Sequence, residues 1–138
     1  MADISYKKLF LGILAFVVVS FAVQFMSHFV INERHFSEIG FMRQEPIMAL
    51  GIVTMLIQGA VLSYVYSILS SNGSSIAKGL TYGLLMGVFL VSYVALVEPS
   101  KYAVPSVIQW ISVEGIAGLL QFSLFGLLIG MLYSRRSD

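Results

Sequence analysis

Glu114 is the residue whose type and surroundings in the sequence point most directly to chemistry. It is the only carboxylate within four long apolar segments, and those segments contain no Lys or Arg. An ionised carboxylate near the middle of a bilayer costs a few kcal/mol. Glu114 must therefore be protonated, paired with a cation or exposed to water. Two interpretations stay open: a site that binds a proton or a cation, and a hydrogen bond that fixes the helix register.

Polar residues on the first apolar segment supply candidate partners for this carboxylate. Ser20, Gln24 and His28 are spaced four residues apart, so they lie on one face of a helix. His28 is the candidate acid–base or ion-pair partner of Glu114 within the membrane. Convergence of the polar faces would give one cluster in the outer half of the membrane. The predicted members are Glu114, His28, Gln24, Gln109, Thr54 and Ser92.

Charged residues beside the segments form a second candidate group at the predicted outer interface. Arg43 and Lys101 have side chains long enough to reach down towards Glu114. Glu45 and Glu98 complete this group. It is a candidate for electrostatic contact with the polar cluster.

Several kinds of site are disfavoured by the sequence. The chain has no Cys, which removes disulfides, thiolate metal ligands and thiol catalysis. His28, His35, Glu45 and Glu98 are scattered, without an HxxxH or HExxH spacing, so no metal site is predicted. No Gly-x-Ser-x-Gly motif is present, which disfavours a serine nucleophile. The residues do not determine whether a cofactor is bound.

The elements that would position these residues are four apolar segments: 9–31, 46–69, 79–97 and 105–133. Each reaches or nearly reaches the 20 or so residues that a spanning helix needs. The chain is 58% hydrophobic and 11% charged, far from the composition of a soluble domain. We predict an all-α membrane protein, with residues 1–138 forming a single four-helix transmembrane domain. The apolar segments make the lipid bilayer its predicted partner, and a net charge of +1 gives no basic surface that would suggest nucleic acid.

The distribution of basic residues predicts how the chain is oriented. Five of them flank the segments on one side (Lys7, Lys8, Lys78, Arg135 and Arg136) and three on the other (Arg34, Arg43 and Lys101). By the positive-inside rule both termini face the cytoplasm of a bacterial cell, and the chain is a multi-pass protein of the inner (cytoplasmic) membrane. The first apolar run is too long for a signal peptide, so we expect it to be retained. Segment 33–44 is either a short interfacial helix or an irregular loop.

Glycine spacing predicts where helices approach closely. Gly79, Gly83 and Gly87 on the third segment, and Gly126 and Gly130 on the fourth, recur every four residues. Small residues at this spacing let helix backbones pack tightly in lipid. They indicate either an oligomer interface or, as we favour, packing inside the bundle.

Four stretches give the chain a resemblance to other proteins. They are Phe25–His28, the segment from Arg43 to Met48, the glycine-containing segment from Lys78 to Gly87, and the last helix from Trp110 to Tyr133. With these features the chain resembles an uncharacterised family of short bacterial four-span integral membrane proteins. The resemblance implies the four-span fold and no particular activity.

Three functions are compatible with these observations. From the small size, short loops and small-residue stripes we predict a non-catalytic accessory or structural subunit of a larger membrane complex, which contacts other membrane protein subunits or itself; the next function is the alternative. The intramembrane Glu114, with His28 and Gln24, favours a small oligomeric transporter or channel. An enzyme or cofactor carrier with His28 and Glu114 as acid and base is the third, although no catalytic motif supports it.

Overall fold

The structure is a computed structural model that describes residues 4–43 and 45–134. Gln44, within one of the stretches that carry the resemblance, lies outside the described residues. So do Arg135 and Arg136, which contributed to the predicted orientation.

Four long helices form a bundle, which confirms the predicted all-α class and its four spans. They contain 26, 22, 26 and 28 residues and are apolar enough to cross a membrane. A short helix of 5 residues, Glu33–Ser37, follows the first. The rest of segment 33–44 that the structure describes, residues 38–43, is irregular, so the segment is part helix and part loop. The helices are α1 (Tyr6–Ile31), α2 (Glu33–Ser37), α3 (Met48–Leu69), α4 (Ile76–Lys101) and α5 (Val107–Ser134).

Side-chain caps explain why two helices begin earlier than the apolar segments. The Ser5 hydroxyl accepts a hydrogen bond from the Lys8 amide, and the Ser75 hydroxyl accepts one from the Lys78 amide at 3.1 Å. Such caps satisfy amides that the first helical turn leaves without partners. The last two spans differ from the predicted segments 79–97 and 105–133 at other ends: α4 continues through Pro99 to Lys101, and α5 begins at Val107, two residues after Pro105.

Two π-helical turns interrupt the long helices, at Met26–Ile31 in α1 and Tyr93–Val97 in α4. The second has a clear cause, because Pro99 has no N–H to donate to a carbonyl one turn earlier. The indole Nε1 of Trp110 donates to the Val94 carbonyl instead, at 3.0 Å. A helix from another span therefore supplies a hydrogen bond that Pro99 cannot make.

The tightest packing joins α4 to α5 through glycine. A Cβ on Gly126 would lie 2.6 Å from the Gly79 carbonyl oxygen and 3.0 Å from the Gly83 Cα. Only glycine allows the two backbones this separation. The Gly79 and Gly130 backbones approach each other in the same way one turn further along. The predicted glycine stripes thus face each other inside the bundle.

The other helices are held less uniformly. α1 packs against both α3 and α5, with Phe16 fully buried between them. α3 meets α4 near their connecting turn, where the Tyr82 hydroxyl donates to the Leu62 carbonyl at 2.7 Å. Beyond this point α3 diverges: residues 48–57 include none that is buried. The bundle is therefore closed at the end of the α3–α4 turn and splayed at the α2 end.

Replacing Gly126 with Ala should destabilise the bundle by about 1–3 kcal/mol, because the added methyl group must push α4 from α5. The matched control is Gly115→Ala on the same helix, where an added Cβ would meet no atom within 4 Å. Reversible unfolding in mixed detergent micelles measures both. Equal effects of the two substitutions would contradict the close approach.

Candidate functional site

The site centres on the pair that the sequence analysis singled out. His28 Nε2 lies 3.8 Å from Glu114 Oε1, and Glu114 is 9% exposed. His28 Nδ1 lies 3.1 Å from the Gln24 carbonyl oxygen. Since a carbonyl only accepts, Nδ1 carries the hydrogen and a neutral ring presents the lone pair of Nε2 to Glu114. The two groups can therefore hold one proton between them, as imidazole with carboxylic acid or as imidazolium with carboxylate.

Glu114 accepts no hydrogen bond from any residue that the structure describes. Its separation from His28 is an electrostatic contact and exceeds hydrogen-bonding distance. Among the polar groups of the site, the Glu114 carboxyl therefore has the fewest interactions with the described part of the protein.

A chain of hydrogen bonds beside the pair links α1 to α5. The Gln24 amide donates to the Gln121 side-chain oxygen at 2.7 Å, and the Gln121 amide donates to the Ser20 hydroxyl at 2.8 Å. Ser20 is 1% and Gln121 5% exposed. The polar face of α1 thus meets a polar face of α5 along two helical turns, with His28 and Glu114 at one end.

The remaining predicted members of the cluster lie elsewhere or at its edge. The Ser92 hydroxyl donates to the Phe89 carbonyl of its own helix, at the border of the site. The Thr54 hydroxyl donates to the Leu50 carbonyl, and the residue is exposed away from the site. Gln109 is exposed in the first turn of α5. The structure therefore groups Glu114, His28 and Gln24 and leaves Thr54 and Gln109 outside.

The predicted outer-interface residues do not contact Glu114. Arg43 and Glu45 are exposed in the connection between α2 and α3. The Lys101 ammonium donates to the Tyr93 hydroxyl at 2.9 Å and lies 4.9 Å from the centre of that ring. Glu98, half-buried in the last turn of α4, is close enough to Glu114 for their charges to interact.

A cleft of about 790 Å³ gives access to the Glu114 carboxyl. α4 forms one wall through residues 89–94, 96 and 97, and Gln58 of α3 lies on the opposite side. Its floor comes from α1 and α5, with Gln24, Glu114 and Gln121 as the polar groups. The cleft occupies the space that opens where α3 diverges from α4.

The site is covered at both ends of the bundle axis. At the α2 end, the Phe36 ring stacks on His28 with centroids 3.9 Å apart. Towards the opposite end, Phe16, Phe122 and Phe125 form aromatic contacts and are at most 4% exposed. Access in this conformation is therefore sideways, through the cleft.

Sequence reasoning missed Gln121 and Gln58 as members of the site. Gln121 follows Glu114 by seven residues, two helical turns, so a shared face was a usable signal. Gln58 gave no such signal, because its place in the cleft depends on how far α3 diverges. Trp110, four residues before Glu114 on the same helix, is 2% exposed and bonded to α4, so it braces the site from within the bundle.

Nothing in the described part of the chain forms a group of three His, Asp or Glu residues suited to a metal ion. Comparisons with protein-family models, with curated proteins and with solved structures found no match. The four-span architecture agrees with the resemblance noted from the sequence, but no family is identified. Interpretation of the site therefore depends on its own chemistry.

Replacing Gln121 with Leu should cost about 0.5–2 kcal/mol, because it removes both bonds between α1 and α5 while keeping the volume similar. In a double-mutant cycle, Ser20→Ala should show positive coupling to Gln121→Leu. Ser112→Ala is the control, since that hydroxyl is exposed and bonds only to its own helix. Unfolding in mixed micelles gives the energies, and strict additivity would contradict the bridge.

Proposed function

We propose that the protein is a small carrier of the bacterial inner membrane, in which Glu114 and His28 exchange a proton for a bound solute. The observation that supports this most is the Glu114–His28 pair, 3.8 Å apart and reached from a cleft within the apolar part of the bundle. Intramembrane ionisable residues that face a cavity commonly mark proton or ion pathways. Gln24 and Gln121 supply further polar contacts for a solute.

A carrier fits the geometry better than an open channel. Phe36 covers the site at one end, and the aromatic contacts of Phe16 with Phe122 and Phe125 lie between it and the other end. A solute bound in the cleft would need a change in helix packing to leave on the opposite side. The splayed half of α3, where residues 48–57 include none that is buried, is the element least constrained against such a change.

The proposal includes the orientation predicted from the basic residues. With both termini in the cytoplasm, the α2 end and the His28–Glu114 pair lie in the outer half of the membrane. Lys101 and Arg43 would then face the periplasm.

Proteoliposomes on a solid-supported membrane should give proton-coupled currents when one member of a solute panel is added. The panel contains apolar amines, carboxylic acids, sugars and amino acids. Glu114→Gln should remove every such current, because the variant cannot exchange a proton. Glu45→Gln is the matched control, since Glu45 is exposed outside the bundle. Currents that survive Glu114→Gln, or no current from any class, would overturn the carrier proposal.

A second candidate, an accessory or structural subunit of a larger membrane complex, is supported by a different observation. Over residues 48–57, α3 packs against little of its own chain, and a Cβ added at Gly51 would meet no atom within 4 Å. Small residues on an open helix face suit contact with another helix. That helix would belong to another subunit or to a second copy of the chain.

A photo-reactive benzophenone side chain at Val53 should form discrete protein adducts in native membranes if this face is a subunit contact. Val53 is 51% exposed on α3. The control position is Leu85, 61% exposed on the outer face of α4. Gel mobility and mass spectrometry of the adducts distinguish a second copy from another protein. Adducts at both positions, or at neither, would count against a specific contact.

A further inference from the structure

The cleft is lined by α4 and by Gln58 of α3, two spans whose outer faces contact lipid. Contacts between α3 and α4 are concentrated near Tyr66 and Tyr82, whose ring centroids are 5.0 Å apart. Further along, Gln58 and Phe89 lie on opposite sides of the cleft. Phe89 is 74% exposed. A ligand dissolved in the bilayer can therefore reach the cleft without passing either end of the bundle.

The cleft lining is largely apolar, and its polar side chains are those of Gln24, Gln58, Ser92, Tyr93, Glu114 and Gln121. Aromatic rings come from Phe89, Tyr93 and Phe122, and aliphatic side chains surround them. Such a lining suits an apolar body and a single polar head. Aromatic faces also attract cations by their quadrupole, which matters if the head carries positive charge.

The chemistry of the head follows from what the polar groups lack. Gln24 and Gln121 bond to each other, and Gln121 also bonds to Ser20. Glu114, in contrast, has no hydrogen-bond donor among the described residues, and its ion-pair contact is with His28 at 3.8 Å. A carboxylate accepts hydrogen bonds and carries negative charge, so the missing partner is a donor or a cation.

The surrounding charges favour a cation over an anion. Glu98 adds a second carboxylate that interacts electrostatically with Glu114. The ammonium of Lys101 is exposed and donates to the hydroxyl of Tyr93, a residue of the cleft lining, where it offsets part of the charge of Glu98 but does not contact Glu114. An anionic head would face both carboxylates in a medium that screens them poorly.

We propose that the cleft binds an apolar organic ammonium ion, which enters sideways from the lipid between α3 and α4 and pairs with Glu114. The inference rests on the proposed carrier function in one respect: the cation replaces the proton held by Glu114 and His28. In that exchange the ammonium ion keeps its own protons. The carboxylic acid releases one proton to the solution and becomes the carboxylate of the new ion pair.

Three cage compounds of nearly equal shape test the head chemistry: 1-adamantylammonium, 1-adamantanol and 1-adamantanecarboxylate. The full chain is placed in lipid nanodiscs, and empty nanodiscs report partitioning into lipid. Calorimetry measures binding, and the fluorescence of Trp110, the chain's single tryptophan, reports occupancy close to Val94 and the cleft. We expect the ammonium ion to bind at least about tenfold more tightly than the alcohol. The carboxylate should show no binding above empty nanodiscs.

Glu114→Gln should weaken ammonium binding at least about tenfold, with release of one proton per bound cation lost. Glu114→Asp keeps the charge and should retain the preference for the ammonium ion. Glu45→Gln should bind as the wild type does. Thermal melting by circular dichroism shows which variants fold. Equal binding of the alcohol and the ammonium ion, or ammonium binding that is insensitive to both Glu114 substitutions, would overturn the proposal.

The sideways route has its own matched pair of variants. Gln58→Trp places a bulky ring in the cleft and should reduce ammonium binding at least about tenfold. Ile57→Trp changes the neighbouring residue, which is 59% exposed and does not line the cleft, and should leave binding unchanged. Equal binding by the two variants would contradict entrance between α3 and α4.

The result also separates this inference from the carrier proposal. Ammonium binding without any current in the solute panel would support the cation site and overturn transport. Currents from another solute class, without ammonium binding, would support transport and overturn the cation site.

Discussion

The absence of water from the bilayer interior is the constraint on which this structure depends. Polar groups inside the spans must find partners within the protein. Hydroxyls such as that of Thr54 bond to the carbonyls of their own helix, and the Gln121 amide joins two helices. Even the Val94 carbonyl, which lies near Pro99, accepts a hydrogen bond from the Trp110 indole. Glu114 accepts no such bond, and the buried side-chain atoms His35 Nε2 and Ser63 Oγ also lack a hydrogen-bond partner among the described residues. Glu114 differs from them because it lines the cleft, where a partner from outside the protein can reach its carboxyl.

Uneven helix packing makes room for that site. Glycines bring α4 and α5 into backbone contact, which fixes one side of the bundle. α3 has no comparable run of glycine contacts with α4, and it separates from α4 beyond the contacts near Tyr66. Van der Waals packing is the main force between helices in lipid, so a helix with fewer small residues at its contacts separates more easily. The cleft is the space left by this difference.

Sequence reasoning recovers the parts of the fold that depend on composition and spacing. Length and hydropathy predict four spans, and the four-residue repeat that includes Gly83 and Gly126 predicts a close helix contact. The spacing of Gln24 and His28 predicts a polar face on α1. The divergence of α3 and the burial of Gln121 could not be derived, because helix rotation leaves little trace in a segment that is apolar on every side. The π-helical turns also leave no trace in hydropathy. The turn in α4 lies next to Pro99, which lacks a backbone donor, whereas the turn in α1 has no proline nearby.

A π-helical turn is equivalent to one extra residue inserted into a regular helix. In α4 the turn at Tyr93–Val97 therefore rotates everything beyond it by about 100° relative to an uninterrupted helix. Glu98 and Lys101 owe their direction to that rotation. Deleting one residue within the turn would restore a regular α-helix beyond it. Glu98 and Lys101 would then point to another face of α4, while the glycine contacts between α4 and α5 would stay unchanged. The direction in which Glu98 and Lys101 point is therefore set by the π-helical turn. It does not depend on the glycine contacts between α4 and α5 that hold the bundle together.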